Sequence, residues 1–187
     1  MAKQDAAPAA QEKIPVTRRE FLNLAWLASL GFFLLPVGGV TILFAYPRFR
    51  AGEFGGEFPL GDVSTLPEVN QSPISNTKGK FWLTRTDEGV RALYKVCVHL
   101  GCLYNWQETD FKFLCPCHGS QYEYNGKYIL GPAPRSLDQF VMRAVKGNEV
   151  IAEVTKEMPG AALAVSDDPE VQYIVDTGSK IIGAPHS

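Results

Sequence analysis

Residues 97–120 read CVHLGCLYNWQETDFKFLCPCHGS, and this one stretch holds all four cysteines of the chain (Cys97, Cys102, Cys115, Cys117) and two of its three histidines (His99, His118). The first box is Cys97-Val98-His99-Leu100-Gly101-Cys102 and the second Cys115-Pro116-Cys117-His118-Gly119-Ser120, with residues 103–114 between them. Two such boxes on two loops supply four ligands of mixed thiolate and imidazole character, which suits Zn²⁺ or an iron–sulfur centre. A Cys₂His₂ zinc site leaves two cysteines idle and ordinarily pairs C-x₂₋₄-C with H-x₃₋₅-H, a spacing absent here. In a domain on the oxidising side of a membrane, the idle pair is expected to form a disulfide tying the two loops together.

Around the boxes the chain reads as short alternating runs: Phe81 to Thr86, Val90 to Val96, Phe111 to Cys115, Ser120 to Tyr124, Phe140 to Lys146 and Glu149 to Val154. Turn signals at Asp87-Glu88-Gly89, Asn125-Gly126 and Gly147-Asn148 separate them, so antiparallel hairpins follow. The fold class expected is mainly β. After Glu157 the chain is rich in Gly, Pro and Asp, with one apolar run at Val171 to Val175; the tail 158–187 receives no assigned role. No repeat is present.

Towards the N-terminus, Phe21 to Tyr46 contains no charged side chain, a length that matches the ~20 apolar helical residues needed to cross a bilayer. Pro36 and Gly38-Gly39 kink such a helix without excluding it. Arg18-Arg19 just before it resembles a twin-arginine export signal, with Asn23 where Lys is often found. Lys3, Lys13, Arg18 and Arg19 place the N-terminus on the cytoplasmic or stromal side, against the weaker pull of Arg48 and Arg50. No small-x-small site follows cleanly, so the segment reads as an uncleaved anchor. The organisation expected is a tail at 1–20, a transmembrane anchor at 21–46, a glycine-bearing hinge linker at 47–58 and a head domain at 59–157. With 18 basic and 20 acidic residues well mixed, nucleic acid is excluded as a partner.

The two boxes resemble the C-x-H-x-G-C and C-x-x-H motifs of Rieske proteins, and Gly131-Pro132-Ala133-Pro134 is similar to the proline loop of respiratory and photosynthetic Rieske subunits. Anchor, linker and head together resemble the Rieske subunit of cytochrome bc1 and b6f complexes. Trp106, the short spacing between the boxes and the run Gly131 to Leu137 lean towards the b6f-like branch; Val98 stands where Thr is usual.

What the resemblance implies is an antiparallel β domain with an inserted cluster-binding part at about 95–135, carrying one [2Fe-2S] cluster per chain. Cys97 and Cys115 would hold the inner iron and His99 and His118 the outer iron, with Cys102 and Cys117 as the disulfide. Ser120 and Tyr122 match the family's hydroxyl donors to sulfur. Leu100, Gly101 and Leu103 would form an apolar docking rim, and Pro132 belongs to the loop covering the cluster. His118, with His99 beside it, would meet the quinol. The implied partners are a cytochrome b-type subunit, a c-type cytochrome (or plastocyanin) and the membrane, with the head periplasmic or lumenal.

The ligand set explains the chemistry. Two ferric ions, two sulfides, two thiolates and two neutral imidazoles sum to zero charge, so an added electron is accepted more easily than by a four-thiolate cluster. Rieske centres accordingly reach roughly −150 to +300 mV, against about −400 mV for plant-type ferredoxins. Other readings are a membrane-anchored Rieske protein of an arsenite-oxidase-like or ferredoxin type, and a tethered zinc module. A ring-hydroxylating oxygenase is excluded on ligand count, because only His186 remains for a second iron site.

Overall fold

The computed structural model describes residues 16–46 and 54–186, which fall into two units, one on each side of Arg48–Phe49. The first unit is a single helix, α1 (Arg18–Ala45). Thr17 caps it: the Thr17 side chain accepts from the Glu20 amide while the Glu20 carboxylate accepts from the Thr17 amide, satisfying two otherwise orphan donors. At ~1.5 Å per residue its 28 residues extend about 42 Å, more than a hydrocarbon core of ~30 Å requires. The hydroxyls of Ser29 and Thr41 donate to the carbonyls of Ala25 and Val37 one turn back, leaving no side-chain polarity that needs water there. This is a helix long and apolar enough to serve as a membrane anchor.

The second unit is antiparallel β. Its strands are β1 (Glu57–Gly61), β2 (Ile74–Asn76), β3 (Phe81–Thr86), β4 (Gly89–Tyr94), β5 (Asn105–Gln107), β6 (Lys112–Leu114), β7 (Gln121–Glu123), β8 (Tyr128–Leu130), β9 (Gln139–Lys146), β10 (Glu149–Val154) and β11 (Val171–Ile181). Among the described residues they form a seven-stranded sheet in the order β1-β11-β9-β4-β3-β2, with β10 also on β9, and a four-stranded sheet β5-β6-β7-β8. Phe58, Phe81, Leu83, Phe140, Met142, Tyr173 and Val175 are buried in the core of the larger sheet. Leu93, Tyr104, Phe113, Tyr122 and Leu137 make a second, mostly aromatic core for the smaller one.

The smaller sheet is an insertion between β4 and β9. Its two ends meet at a narrow neck, where Leu93 pairs with Gln139 and the Tyr94 amide donates to the Asp138 carbonyl at 2.8 Å. Asp138 is 2% exposed, and its carboxylate accepts from Arg135 at 3.1 Å, from the Gly183 amide at 3.0 Å and from Lys180 at 2.9 Å. Burial raises its carboxyl pKa, but the Arg135, Gly183 and Lys180 donors outweigh that and hold it below the usual carboxylate range.

Two sequence expectations change. The tail 158–187 supplies β11, which sits between β1 and β9 with alternating burial from Val171 to Val175. Its pattern was obscured because Asp176–Lys180 forms a register shift rich in polar residues and glycine. The expected linker runs to residue 58; residues 47–53 lie outside the described residues, whereas Phe54 to Phe58 belong to the head. The Gly55 amide donates to Thr177, Phe54 packs on Tyr94 and Phe140, and Glu57-Phe58 pair with β11. Glycines at 55 and 56 read as a flexible stretch, yet Gly55 adopts a φ of 95° to make this edge contact.

Asp138→Asn removes the charge opposing Arg135 and Lys180 and is expected to cost about 3 kcal/mol, the low end for breaking a buried pair because both cations are partly exposed. Since the folded pKa is depressed, the wild-type advantage is present above the unfolded value near ~3.9 and fades as pH falls through the folded value. Urea titrations of both proteins from neutral to acid pH check this: the gap in unfolding free energy should narrow only at the acid end.

Candidate metal centre

Both Cys/His boxes are built by the same turn. In the first, the Gly101 amide donates to the Cys97 carbonyl at 3.0 Å and the Cys97 amide to the Cys102 carbonyl at 2.7 Å. In the second, the Gly119 amide donates to Cys115 at 3.0 Å and the Cys115 amide to Ser120 at 2.8 Å. Gly101 and Gly119 both sit at positive φ, 85° and 75°, where a side chain is strained, which accounts for glycine four residues after the leading cysteine of each box. The Val96–Leu103 bridge closes the base of the first loop, and β6 and β7 flank the second.

These turns separate the donors by depth. Cys97 and Cys115 are free thiols, each 2% exposed, whereas His99 is half-buried and His118 exposed. The two imidazole rings meet edge to face, with centroids 4.8 Å apart and planes at 88°. Cys102 and Cys117 are joined as a disulfide, Cα–Cα 6.6 Å, which ties loop to loop. The sulfurs of Cys102, Cys115 and Cys117 lie within 4.8 Å of one another, but two of the three are spent on each other, so only Cys115 of that group has a thiolate to give.

Two buried polar atoms of the boxes have no hydrogen-bond partner among the described residues: His99 Nδ1 and Ser120 Oγ. Leaving such atoms unpaired costs about 1–3 kcal/mol each, so a bound group that meets them is favoured. The Tyr122 hydroxyl lies 3.3 Å from Cys97 Sγ. Burial, reinforced by the neighbouring Cys97, pushes the Tyr122 pKa well above its ordinary value and keeps the hydroxyl a donor. Burial likewise pushes the Cys115 thiol up, so its ionised form needs a cation at hand. Two inner thiols and two outer imidazoles, with unpaired polar atoms around them, fit a [2Fe-2S] group bound by two sulfurs and two nitrogens.

The Gly131–Pro134 loop packs against the second box. A Cβ at Gly131, whose φ is 109°, would lie 2.5 Å from the Ser120 Cα, so only glycine fits. Ala133 is buried with Cys97 and Cys115 in the second core, while Pro132 is exposed. Leu100, inside the first box, and Leu103, just after it, are 71% and 63% exposed. Sequence reasoning did not find Tyr104, which donates to the Tyr94 carbonyl and packs on Tyr122, or Tyr128, which donates to the Gly131 carbonyl at 2.6 Å. Both fall between the alternating runs of the sequence, with nothing in their spacing to set them apart.

Residues 56–141 match the family model for the Rieske [2Fe-2S] domain. The chain is 36% identical over 135 residues to the cytochrome b6-f complex iron-sulfur subunit of Synechococcus sp. strain WH7803, covering 64% of this chain and 75% of that one. It is 32% identical over 145 residues to cytochrome b6-f complex iron-sulfur subunit 2 of the Cyanophora paradoxa cyanelle, covering 69% of this chain and 60% of that one. Among solved structures, a chain of a hyperthermophilic respiratory Complex III is 33% identical, covers 66% of this chain and 98% of its own, and superposes with a TM-score of 0.39.

Cutting the covalent tie tests how much of the loop geometry it supplies. For a closed segment of this size, ~15 residues, a disulfide contributes about 3 kcal/mol by restricting the unfolded chain. Cys102→Ser is expected to lose about that much in denaturant unfolding and to expose one titratable thiol at Cys117 on mass-spectrometric labelling.

Proposed function

The chain belongs to the Rieske iron–sulfur protein family, and from that premise we propose that it is the electron-transfer subunit of a membrane quinol-oxidising cytochrome complex. The observation that carries this reading is the pair of buried free thiols set beneath two perpendicular imidazoles, bound into one site by the Cys102–Cys117 disulfide. Cys97 and Cys115 would hold the inner iron, and His99 and His118 the outer one. When bound, the [2Fe-2S] cluster supplies a one-electron acceptor and donor.

Each residue then has a defined task. His118, exposed at the surface, would hydrogen-bond the quinol hydroxyl through the ring nitrogen that the iron leaves free, while His99 shares the rim. Leu100 and Leu103 exclude water around that contact by seating in an apolar pocket of the partner. Tyr122, whose hydroxyl lies 3.3 Å from Cys97 Sγ, and Ser120, whose Oγ has no other partner among the described residues, would donate to sulfur of the bound group, and a donor there favours the more negative, reduced state. The partners are a cytochrome b-type subunit that presents the quinol and a c-type cytochrome that takes the electron. The basic residues Arg18 and Arg19 at the start of α1 keep the N-terminus cytoplasmic, which puts the head on the opposite side of the membrane.

Electron paramagnetic resonance of the reduced full chain tests the reading. The wild type should give the rhombic signal of a His-ligated two-iron centre, and His118→Ala should abolish it; retention of the signal in that variant overturns the ligand assignment. Tyr122→Phe should keep the signal and lower the midpoint potential by about 20–60 mV, since only part of a hydrogen bond to a charged group is differential between redox states. An unchanged potential would remove Tyr122 from the set of donors.

A further inference from the structure

The loop that closes over the second box carries two prolines. Pro132 and Pro134 have no N–H, so the Gly131–Pro134 segment has few donors with which to tie itself down, and its carbonyls become the natural points of attachment. The structure places a donor on two of them. The Tyr128 hydroxyl donates to the Gly131 carbonyl at 2.6 Å, and the His186 ring nitrogen Nε2 lies 2.8 Å from the Ala133 carbonyl. A carbonyl oxygen only accepts, so His186 must carry the proton on Nε2. The two rings that hold these carbonyls are themselves stacked, with centroids 3.9 Å apart and planes at 12°.

His186 arrives there along a fixed path. After β11 the chain crosses the neck, where the Gly183 amide donates to Asp138 and a Cβ at Gly183 would lie 2.1 Å from the Ser136 carbonyl oxygen. The Ser136 amide donates to the Ala184 carbonyl at 2.9 Å, and Arg135 and Pro185 form an antiparallel bridge. The segment Ile182–His186 thus runs beside Arg135 and Ser136 before its imidazole reaches back over Tyr128. Each of these contacts lies on the exit side of the inserted subdomain, more than forty residues away in sequence.

We propose that His186 is a positioning residue of the metal centre: with Tyr128 it forms a two-ring clamp that holds the Gly131–Pro134 loop down on the second box and limits water access to the buried thiols. The clamp rests on the cluster assignment made above, and it gives the third histidine of the chain a task outside the ligand set. His186 touches neither thiol nor imidazole of the site; it acts through Ala133, which packs in the same core as Cys97 and Cys115. An Nε2–H is present in one neutral tautomer and in the imidazolium alike, so the hydrogen bond does not require a particular charge.

The test uses the full, cluster-loaded chain in detergent, with His186→Ala and with His186→Gln, which keeps an amide donor at the same place. Loss of visible absorbance in excess EDTA reads access to the cluster, and amide hydrogen exchange reads where the protein opens. His186→Ala is expected to speed the bleaching about three- to tenfold, the effect of one hydrogen bond and one stacked ring at a partly exposed position. Exchange should rise at Ala133 to Leu137 while β4 and β9 stay protected, and His186→Gln should recover part of the slow rate. Bleaching of His186→Ala at the wild-type rate overturns the clamp. So does equal acceleration in both variants with β4 and β9 opening too, which would mean general loosening. A wild-type chain that binds no cluster overturns the function proposed above, and is told apart from failure of the clamp by the starting spectrum.

Discussion

Everything the head presents to a partner depends on a neck two strands wide. Some forty residues leave the larger sheet after Tyr94 and return at Asp138, and the two ends are held by one backbone hydrogen bond, one paired position and one buried carboxylate. Asp138 is the point where three parts of the chain converge: Arg135 from the exit of the insertion, Lys180 from β11 and Gly183 from the segment beyond it. A carboxylate buried to this degree is tolerated only with its oxygens satisfied, so the requirement for partners fixes the geometry of all three. The smaller sheet is built of four three-residue strands, and its orientation on the larger one is set at this junction.

Within the insertion, depth sorts the chemistry. Thiols lie inside and imidazoles at the rim because each turn buries its first cysteine under its own glycine-closed hydrogen bonds and projects the residues that follow outward. The aromatic core of Tyr104, Phe113 and Tyr122 packs directly on Cys97, excluding water where the sulfurs are and strengthening the one hydroxyl contact made there. The imidazole edge is left open to solvent while the thiols are enclosed. The disulfide keeps the two turns in one relation to each other, a task for which two short surface loops have no core of their own.

The helix answers to a different solvent. From Leu24 onward its side chains are apolar apart from two hydroxyls bonded to its own carbonyls, and its charged residues and Asn23 gather at the capped start. In water such a surface would aggregate; in hydrocarbon it is at ease. Thr17-x-x-Glu20 is a capping box readable from sequence alone, and it marks the boundary between the basic flank and the apolar run.

The sequence by itself determined the cluster boxes, the apolar anchor and most longer strands, because each is a local pattern: ligand spacing, an unbroken apolar run, or period-two alternation between turn residues. It also carried the glycines of the two boxes, since a left-handed turn needs them wherever the chain goes. Only the tertiary structure decided what the residues after Glu157 are for. β11 pairs with β1 across 112 to 119 positions of sequence and with β9 across 25 to 42, and its polar, shifted second half hides the strand from any short window. The same holds for Asp138, Tyr128 and His186, ordinary residues in ordinary local settings. What makes them matter is a buried carboxylate needing donors and a proline loop lacking its own, and both needs are met by groups that only the folded chain brings within reach.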